Sequence, residues 1–255
     1  MSELDYTRLL LGEDIPFNDN LNIHVPTIKD IADISEGKFA RLFRPFVIST
    51  REIFAESPEV DDLEKQFPTL WVCMKDPQVD ASLGPVFDTK TVSEAMIASI
   101  AYWTQTNIED YQLLSNGKII SETHDTVFDA AKLSDFGRII KMLVDYHANK
   151  DLIPPRDMSP KQRKMWNSLY KGRKRRAEHS IGMTLADKIL ILSVTSGKSL
   201  AEVSALNYYQ FLNLYDAYEI REATEKQFAI YTSYKFDTKD MKMKDWRAIT
   251  SIKRL

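Results

Sequence analysis

Four histidines, at positions 24, 124, 147 and 179, and one cysteine, Cys73, are the residues with which this chain could ligate a metal or form a nucleophile. No two of the histidines stand at the i, i+3 or i, i+4 spacing that presents two ligands from one helical face. His124 lies in Glu122-Thr123-His124-Asp125, a mixture that an exposed turn carries without a metal, and His147 lies among apolar positions that predict a partly buried, hydrogen-bonded ring. Cys73 is flanked by Trp71, Val72 and Met74; apolar surroundings raise a thiol's pKa, so a structural cysteine is expected. One cysteine closes no internal disulfide and builds no Cys/Cys zinc site, which fits a reducing compartment. Gly-x-Ser-x-Gly, Gly-x-Gly-x-x-Gly and phosphate-cradling loops do not occur, and only eight glycines are present to build them. The acidic pairs Asp61-Asp62 and Glu109-Asp110 carry no mark of a perturbed acid/base couple. The expectation is a chain without catalytic residues, cofactor or metal.

The strongest chemical feature is basic. Lys161, Arg163, Lys164, Lys171, Arg173, Lys174, Arg175 and Arg176 place eight cations in sixteen residues with no acid among them, and Trp166 and Tyr170 are interleaved. On one helix, Lys164, Lys171, Lys174 and Arg175 would share much of one side and could neutralise phosphates; the alternative is docking on an acidic surface. The formal charge of −3 hides this run. Residues 1–150 hold 14 Lys and Arg against 25 Asp and Glu, a net of −11, whereas residues 151–255 hold 20 against 12, a net of +8. Such asymmetry implies two parts that attract each other, a basic part kept for an acidic partner, or two solvated faces.

The elements that must position these residues are mostly helical. Leu21, Ile23 and Val25 alternate as a strand that Pro26 stops, and Thr27 caps a helix carrying Ile28, Ile31 and Ile34 on one face. Helices are expected over Glu36 to Phe43, Ser49 to Ser57 and from Glu59 to before Pro68. Thr69 to Met74 is rich in β-formers, although so short a run does not separate buried strand from buried helix. Thr91 to Trp103 reads as a core-facing helix, and Ser115-Asn116-Gly117 between Tyr111–Leu114 and Lys118–Ile120 is a hairpin signal, with another short strand at Thr126–Phe128. A helix from Ser134 to about Asn149 follows, and Pro154-Pro155 breaks the chain.

Beyond that break, Ser159-Pro160 opens a helix to about Glu178 with Met165, Leu169 and Trp166 as its expected apolar face. Thr184 to Asp187 and Ser199 to Glu202 resemble capping boxes, Gly197 ends the helix between them, and an aromatic-rich helix runs through Tyr208, Phe211, Leu212, Tyr215 and Tyr218. The helix pair at Thr184 to Leu206 has helix-turn-helix spacing, but Ala201 to Leu206 holds no Arg, Lys, Asn or Gln to read base edges. The fold class expected is mainly α with a small β component (α+β). Its organisation is an acidic mixed part with a hairpin over 1–153, a basic helical part over 154–234, and a basic tail over 235–255 containing an isolated Trp246. No apolar run approaches the roughly 18–20 residues that span a bilayer, and the acidic start Met1 to Asp5 predicts no secretory leader.

Several motifs resemble a known family. Tyr6-x-x-Leu9-Leu10-x-Gly12 and Asn20-Leu21-Asn22-Ile23-x-x-Pro26-Thr27-Ile28-x-x-Ile31 open the pattern. Lys164-x-Trp166-x-x-Leu169 with the Arg/Lys run, Ser199-Leu200-x-Glu202-Val203-x-x-Leu206-x-x-Tyr209-Gln210-Phe211, and Asp237-x-Lys239-Asp240-x-x-x-Lys244-Asp245-Trp246 complete it. Together they resemble small proteins of tailed phages and prophages of Gram-positive bacteria that look like tail assembly chaperones; Val60 to Val127 departs from the pattern. The resemblance implies a non-enzymatic helical adaptor in the host cytoplasm, with the tape measure protein and the major tail protein as partners and self-association open. The residues expected at the partner surface are Lys171, Arg173, Lys174, Arg175, Arg176, Tyr208, Tyr215, Tyr218 and Trp246. A virion structural protein of the tail or connector, and a helix-turn-helix-like nucleic-acid-binding protein, are the alternatives.

Overall fold

In the computed structural model, which describes residues 4–179, 182–233 and 245–255, 62% of the described residues are helical and 6% are in strands. The fold is therefore mainly α with a small β component, as the sequence predicts. The first part holds α1 (Tyr6–Leu10), α2 (Ile28–Ile34), α3 (Glu36–Val47), α4 (Thr50–Ile53), α5 (Val60–Gln66), α6 (Leu70–Cys73), α7 (Pro77–Leu83), α8 (Val92–Thr104) and α9 (Ala130–Leu143). The second holds α10 (Pro160–His179), α11 (Leu185–Ser196), α12 (Leu200–Ser204), α13 (Tyr208–Tyr231) and α14 (Trp246–Ile249). Two antiparallel sheets accompany them: β1 (Ile15–Pro16) with β2 (Asn22–Ile23), and β3 (Gln112–Leu113), β4 (Ile119–Ser121) and β5 (Thr126–Phe128) in that order.

The main core forms where α3 lies against α8 and α9. Ser99 Oγ and Trp103 Nε1, one turn apart on α8, both donate to the Leu42 carbonyl of α3, the second at 3.1 Å. On the other side Gly137 brings α9 close: a Cβ there would meet the Phe46 carbonyl at 3.1 Å, so a larger residue would push the helices apart. Buried Asp80 on α7 accepts from the backbone N–H of Ser93 at 2.9 Å, anchoring the start of α8. In the hairpin, Leu113 pairs with Ile119, and Gly117 at φ +81° supplies the left-handed turn residue.

One open assignment is decided, and the bounds of α9, the place of His147 and the extent of α4 differ from expectation. Thr69 to Met74, open between strand and helix in the sequence, is helical: Leu70, Cys73 and Met74 are buried at i, i+3 and i+4, and α6 covers the first two with Met74 as its C-cap. Helix α9 starts four residues before Ser134, because Asp129 caps it by accepting from Lys132 N, and it ends at Leu143, ahead of the left-handed Asp145. His147 therefore falls beyond the helix; its side chain is 84% exposed beside Asp145 rather than partly buried. Of Ser49 to Ser57, only Thr50–Ile53 is α-helical.

The two parts of the chain are stitched along backbone and ion pairs. Thr27 and Asn207 form an isolated antiparallel bridge, with Ile28 N donating to Leu206 O at 2.9 Å and Tyr208 N to Pro26 O at 2.8 Å. Each bridge residue also caps its own helix in a full capping box, Thr27 with Asp30 and Asn207 with Gln210. Ile28 enters a second core of Leu192, Val203, Phe211, Leu212 and Tyr215, while Tyr209 enters the main one. Near the chain's end, Lys253 Nζ bridges Asp145, at 2.7 Å, and Asp216.

Arg51 makes the deepest of these ties. Only 5% exposed, it donates to Glu64 at 2.6 Å, Asp61 at 2.7 Å, and the carbonyls of Pro154 and Pro155 at 2.7 and 2.6 Å. Replacing it with alanine leaves the Pro154 and Pro155 carbonyls without this donor, and leaves Glu64 and Asp61 with Arg156 and Arg163 as their remaining cations. The expected loss is about 3 kcal/mol, read from urea unfolding. Glu64 adds a pH dependence: the Arg156 guanidinium first, and Arg51 with it, hold its carboxyl below the ordinary value of 4.5 against a burial effect in the other direction. A depressed folded pKa gives stability that is complete above the unfolded value and lost as pH falls through the folded one. The stability gap between wild type and Glu64→Gln should accordingly stay level near neutral pH and narrow below 4.5.

Candidate partner-binding surface

Side chains with catalytic or ligating chemistry lie apart. Cys73 is fully buried, its thiol directed to the Thr69 carbonyl at 3.7 Å, and burial pushes its pKa up to about 11. His24 Nδ1 lies 3.0 Å from Asp14, and His124 Nε2 lies 3.4 Å from Asp110, whose carboxyl the backbone N–H of Asn107 first holds below its ordinary value. The side chain of His179 lies outside the described residues. No group of three or more His, Cys, Asp or Glu among the described residues could hold a metal ion.

The basic run occupies α10 and divides by face. Toward the body, Arg163, Trp166 and Tyr170 are buried, with Trp166 and Tyr170 packing on Ala55, Leu152 and Met158. Ion pairs accompany that contact: Arg163 with Asp61 at 3.6 Å, and Lys174 with Glu56 at 3.0 Å. Arg173 stacks over the Trp166 ring at 4.8 Å and donates to the Asp151 carbonyl. The sequence places Met165 and Leu169 on the apolar face with Trp166, but they point to solvent at 63% and 46% exposure. The reason is electrostatic: the surface under α10 is acidic, and the face that carries Arg163 and Lys174 alongside two aromatic rings satisfies both its charge and its apolar floor. Lys171, Arg175 and Arg176 stay on the outside.

The aromatic residues also separate. Tyr208 is half-buried against the main core, and Tyr215 is buried with Phe211 stacked on it, which removes Tyr215 from the exposed surface expected of it. Tyr218 is half-buried and donates to Glu222 at 3.1 Å. Trp246 opens α14, half-buried with Arg247 over its ring, and the motif residues Asp237 to Lys244 lie outside the described residues.

A surface that the sequence pattern does not announce is the far half of α13. Every buried residue of this helix lies between Tyr209 and Tyr215. From there the helix stays half-buried on one side as far as Thr224 and is exposed beyond it, with the pairs Tyr218–Glu222, Arg221–Glu225 and Glu222–Lys226 along it and Phe228 (58%), Ile230 and Tyr231 exposed. A weak signal is nonetheless present: the regular apolar spacing of Tyr208 to Tyr215 stops, while helix-favouring Glu, Arg, Lys and Ala continue. Helix α11 adds Leu190 and Val194, exposed one turn apart. Helix α12, five residues long with Val203 buried, offers no recognition helix for a DNA groove.

Residues 173–251 match a phage-associated domain family, described as YomV second domain. The matched segment begins inside α10 and takes in α11, α12 and α13. No curated protein and no solved structure matches the chain. Among the described residues, no helix is long and apolar enough to cross a membrane.

The division between core and arm is measurable. Tyr215→Ala should cost about 3 kcal/mol in chemical unfolding, because it empties the centre of the smaller core. Phe228→Ser, out on the arm, should stay within about 0.5 kcal/mol of wild type.

Proposed function

We propose that this chain is a non-enzymatic adaptor of phage tail assembly: a chaperone that holds the tape measure protein and brings tail tube subunits to it in the host cytoplasm. The observation that carries the reading is the projecting half of α13. Its exposed Phe228 and Ile230 join none of the cores formed by the described residues and suit docking against a long helical partner. The phage-associated match over 173–251, which contains that arm, supports the phage setting, and the resemblance of the motifs supports the assembly role.

Co-expression with a fragment of the tape measure protein tests it. A complex that survives gel filtration, and that Phe228→Ser with Ile230→Ser weakens without loss of folding, is the expected result. Recovery of the chain in purified virions would favour a structural tail component instead, and salt-sensitive retention on DNA without a protein complex would favour a nucleic-acid role.

A further inference from the structure

Along the outside of α10, Met165, Leu169, Gly172 and Arg176 follow at i, i+4, i+7 and i+11, opposite the buried side. Lys164, Lys171 and Arg175 run beside this row, also at i, i+7 and i+11, with Lys161 one turn before them. The side chains of Lys161, Lys164, Lys171 and Arg175 make no hydrogen bond or ion pair among the described residues, and no acid interrupts the helix from Lys161 to Ala177. The strip from Lys164 to Arg175 is about 16 Å long, or three helical turns.

Two of its features work against α10 on its own. Lys171 and Arg175 are like charges at i, i+4, which repel. Gly172 sits in mid-helix with nothing among the described residues within 4 Å of where a Cβ would stand, so it loses helix propensity and neither a turn nor a contact with the described residues requires it. Both features make sense if another backbone comes close over Gly172 with carboxylates alongside.

We infer that the outer face of α10 binds an acidic amphipathic helix of another protein, which lays apolar side chains against Met165 and Leu169 and carboxylates along Lys164, Lys171 and Arg175. The inner face of the same helix shows this chemistry at work: Trp166 and Tyr170 supply the apolar floor while Asp61 and Glu56 pair with Arg163 and Lys174. Duplex DNA would use the cations but leave Met165 and Leu169 without a counterpart, so a protein helix fits the face better. The inference shares with the adaptor reading only that the partner is a protein, and the face lies almost wholly before residue 173, where the family match starts.

The test titrates the full chain with three probes: a synthetic acidic amphipathic helix of about 21 residues, its Lys-for-Glu counterpart of the same length, and duplex DNA of about 20 base pairs. Expected is micromolar binding of the acidic helix alone, weakened about tenfold or more by Lys164→Glu with Arg175→Glu, and similarly by Leu169→Glu. Gly172→Leu provides the control against misfolding, since it should raise the thermal midpoint while lowering affinity. Failure of the acidic helix to bind overturns the inference, as do equal binding of the basic helix and affinity unchanged by the charge reversals. Tighter binding of DNA gives the face to nucleic acid and overturns it too; a concentration-dependent dimer abolished by Leu169→Glu gives the face to a second copy, with the same consequence. A chain that captures the acidic helix but no tape measure fragment keeps this inference and overturns the tail-assembly reading. A chain that captures the tape measure fragment but not the acidic helix keeps the tail-assembly reading and overturns this inference.

Discussion

One buried guanidinium, that of Arg51, joins elements that no common secondary structure connects. A cation taken this far from water has to find its hydrogen bonds inside the protein. Two of its partners are carboxylates on α5, and two are the carbonyls of Pro154 and Pro155. The prolines suit this role for a covalent reason: they have no N–H, and a proline forces the residue before it into extended backbone, so the segment pairs with no helix or sheet. Its carbonyls are left for a side-chain donor. The break in the chain and the buried arginine thus answer each other's unsatisfied groups.

The same carboxylates serve α10 itself. Asp61 lies between Arg51 and Arg163, and Glu64 between Arg51 and Arg156, so two acids hold three arginines of which one is deeply buried. A near-neutral total that conceals −11 against +8 is in part the record of this contact. At the other seam, Thr27 and Asn207 place two helix starts back to back, each with its own capping box, so that the backbone groups left over at both N-termini satisfy one another. Ile28 and Tyr209 then cross over, each into a core built mainly by the other part.

Sequence patterns are most informative where one residue type decides the local outcome. Thr27, Thr184 and Ser199 cap helices as their side chains require, and Asn116-Gly117 turns the hairpin. They mislead where tertiary context chooses between two locally acceptable answers. Leu70 to Met74 could be strand until the spacing of its buried residues is seen, and His147 depends on where α9 stops, which Asp145 in the left-handed region determines. The face of α10 is hard to read because an aliphatic stripe is the usual signature of burial. Here the floor offers acids, which favour aromatic rings with Arg163 and Lys174 around them. The arm of α13 escapes notice because a helix is expected to end near the core that stabilises it, whereas this one is sustained by its own i, i+4 pairs.

The two exposed surfaces differ in how firmly they are held, and that bears on what each can do in recognition. Helix α10 is pinned toward its start by Arg163 on Asp61 and three turns later by Lys174 on Glu56, with Trp166 and Tyr170 seated between these contacts. Neither rotation about its axis nor tilt is compatible with all four, so the outer row is pre-organised and a partner meets it with little further loss of conformational entropy. Helix α13 is anchored most deeply at its start, where Tyr209, Phe211, Leu212 and Tyr215 are buried, and it becomes progressively exposed beyond Thr224. The outer face of α10 is thus fixed by contacts on its opposite side, whereas the outer turns of α13 rest on the pairs Arg221–Glu225 and Glu222–Lys226 along the helix itself.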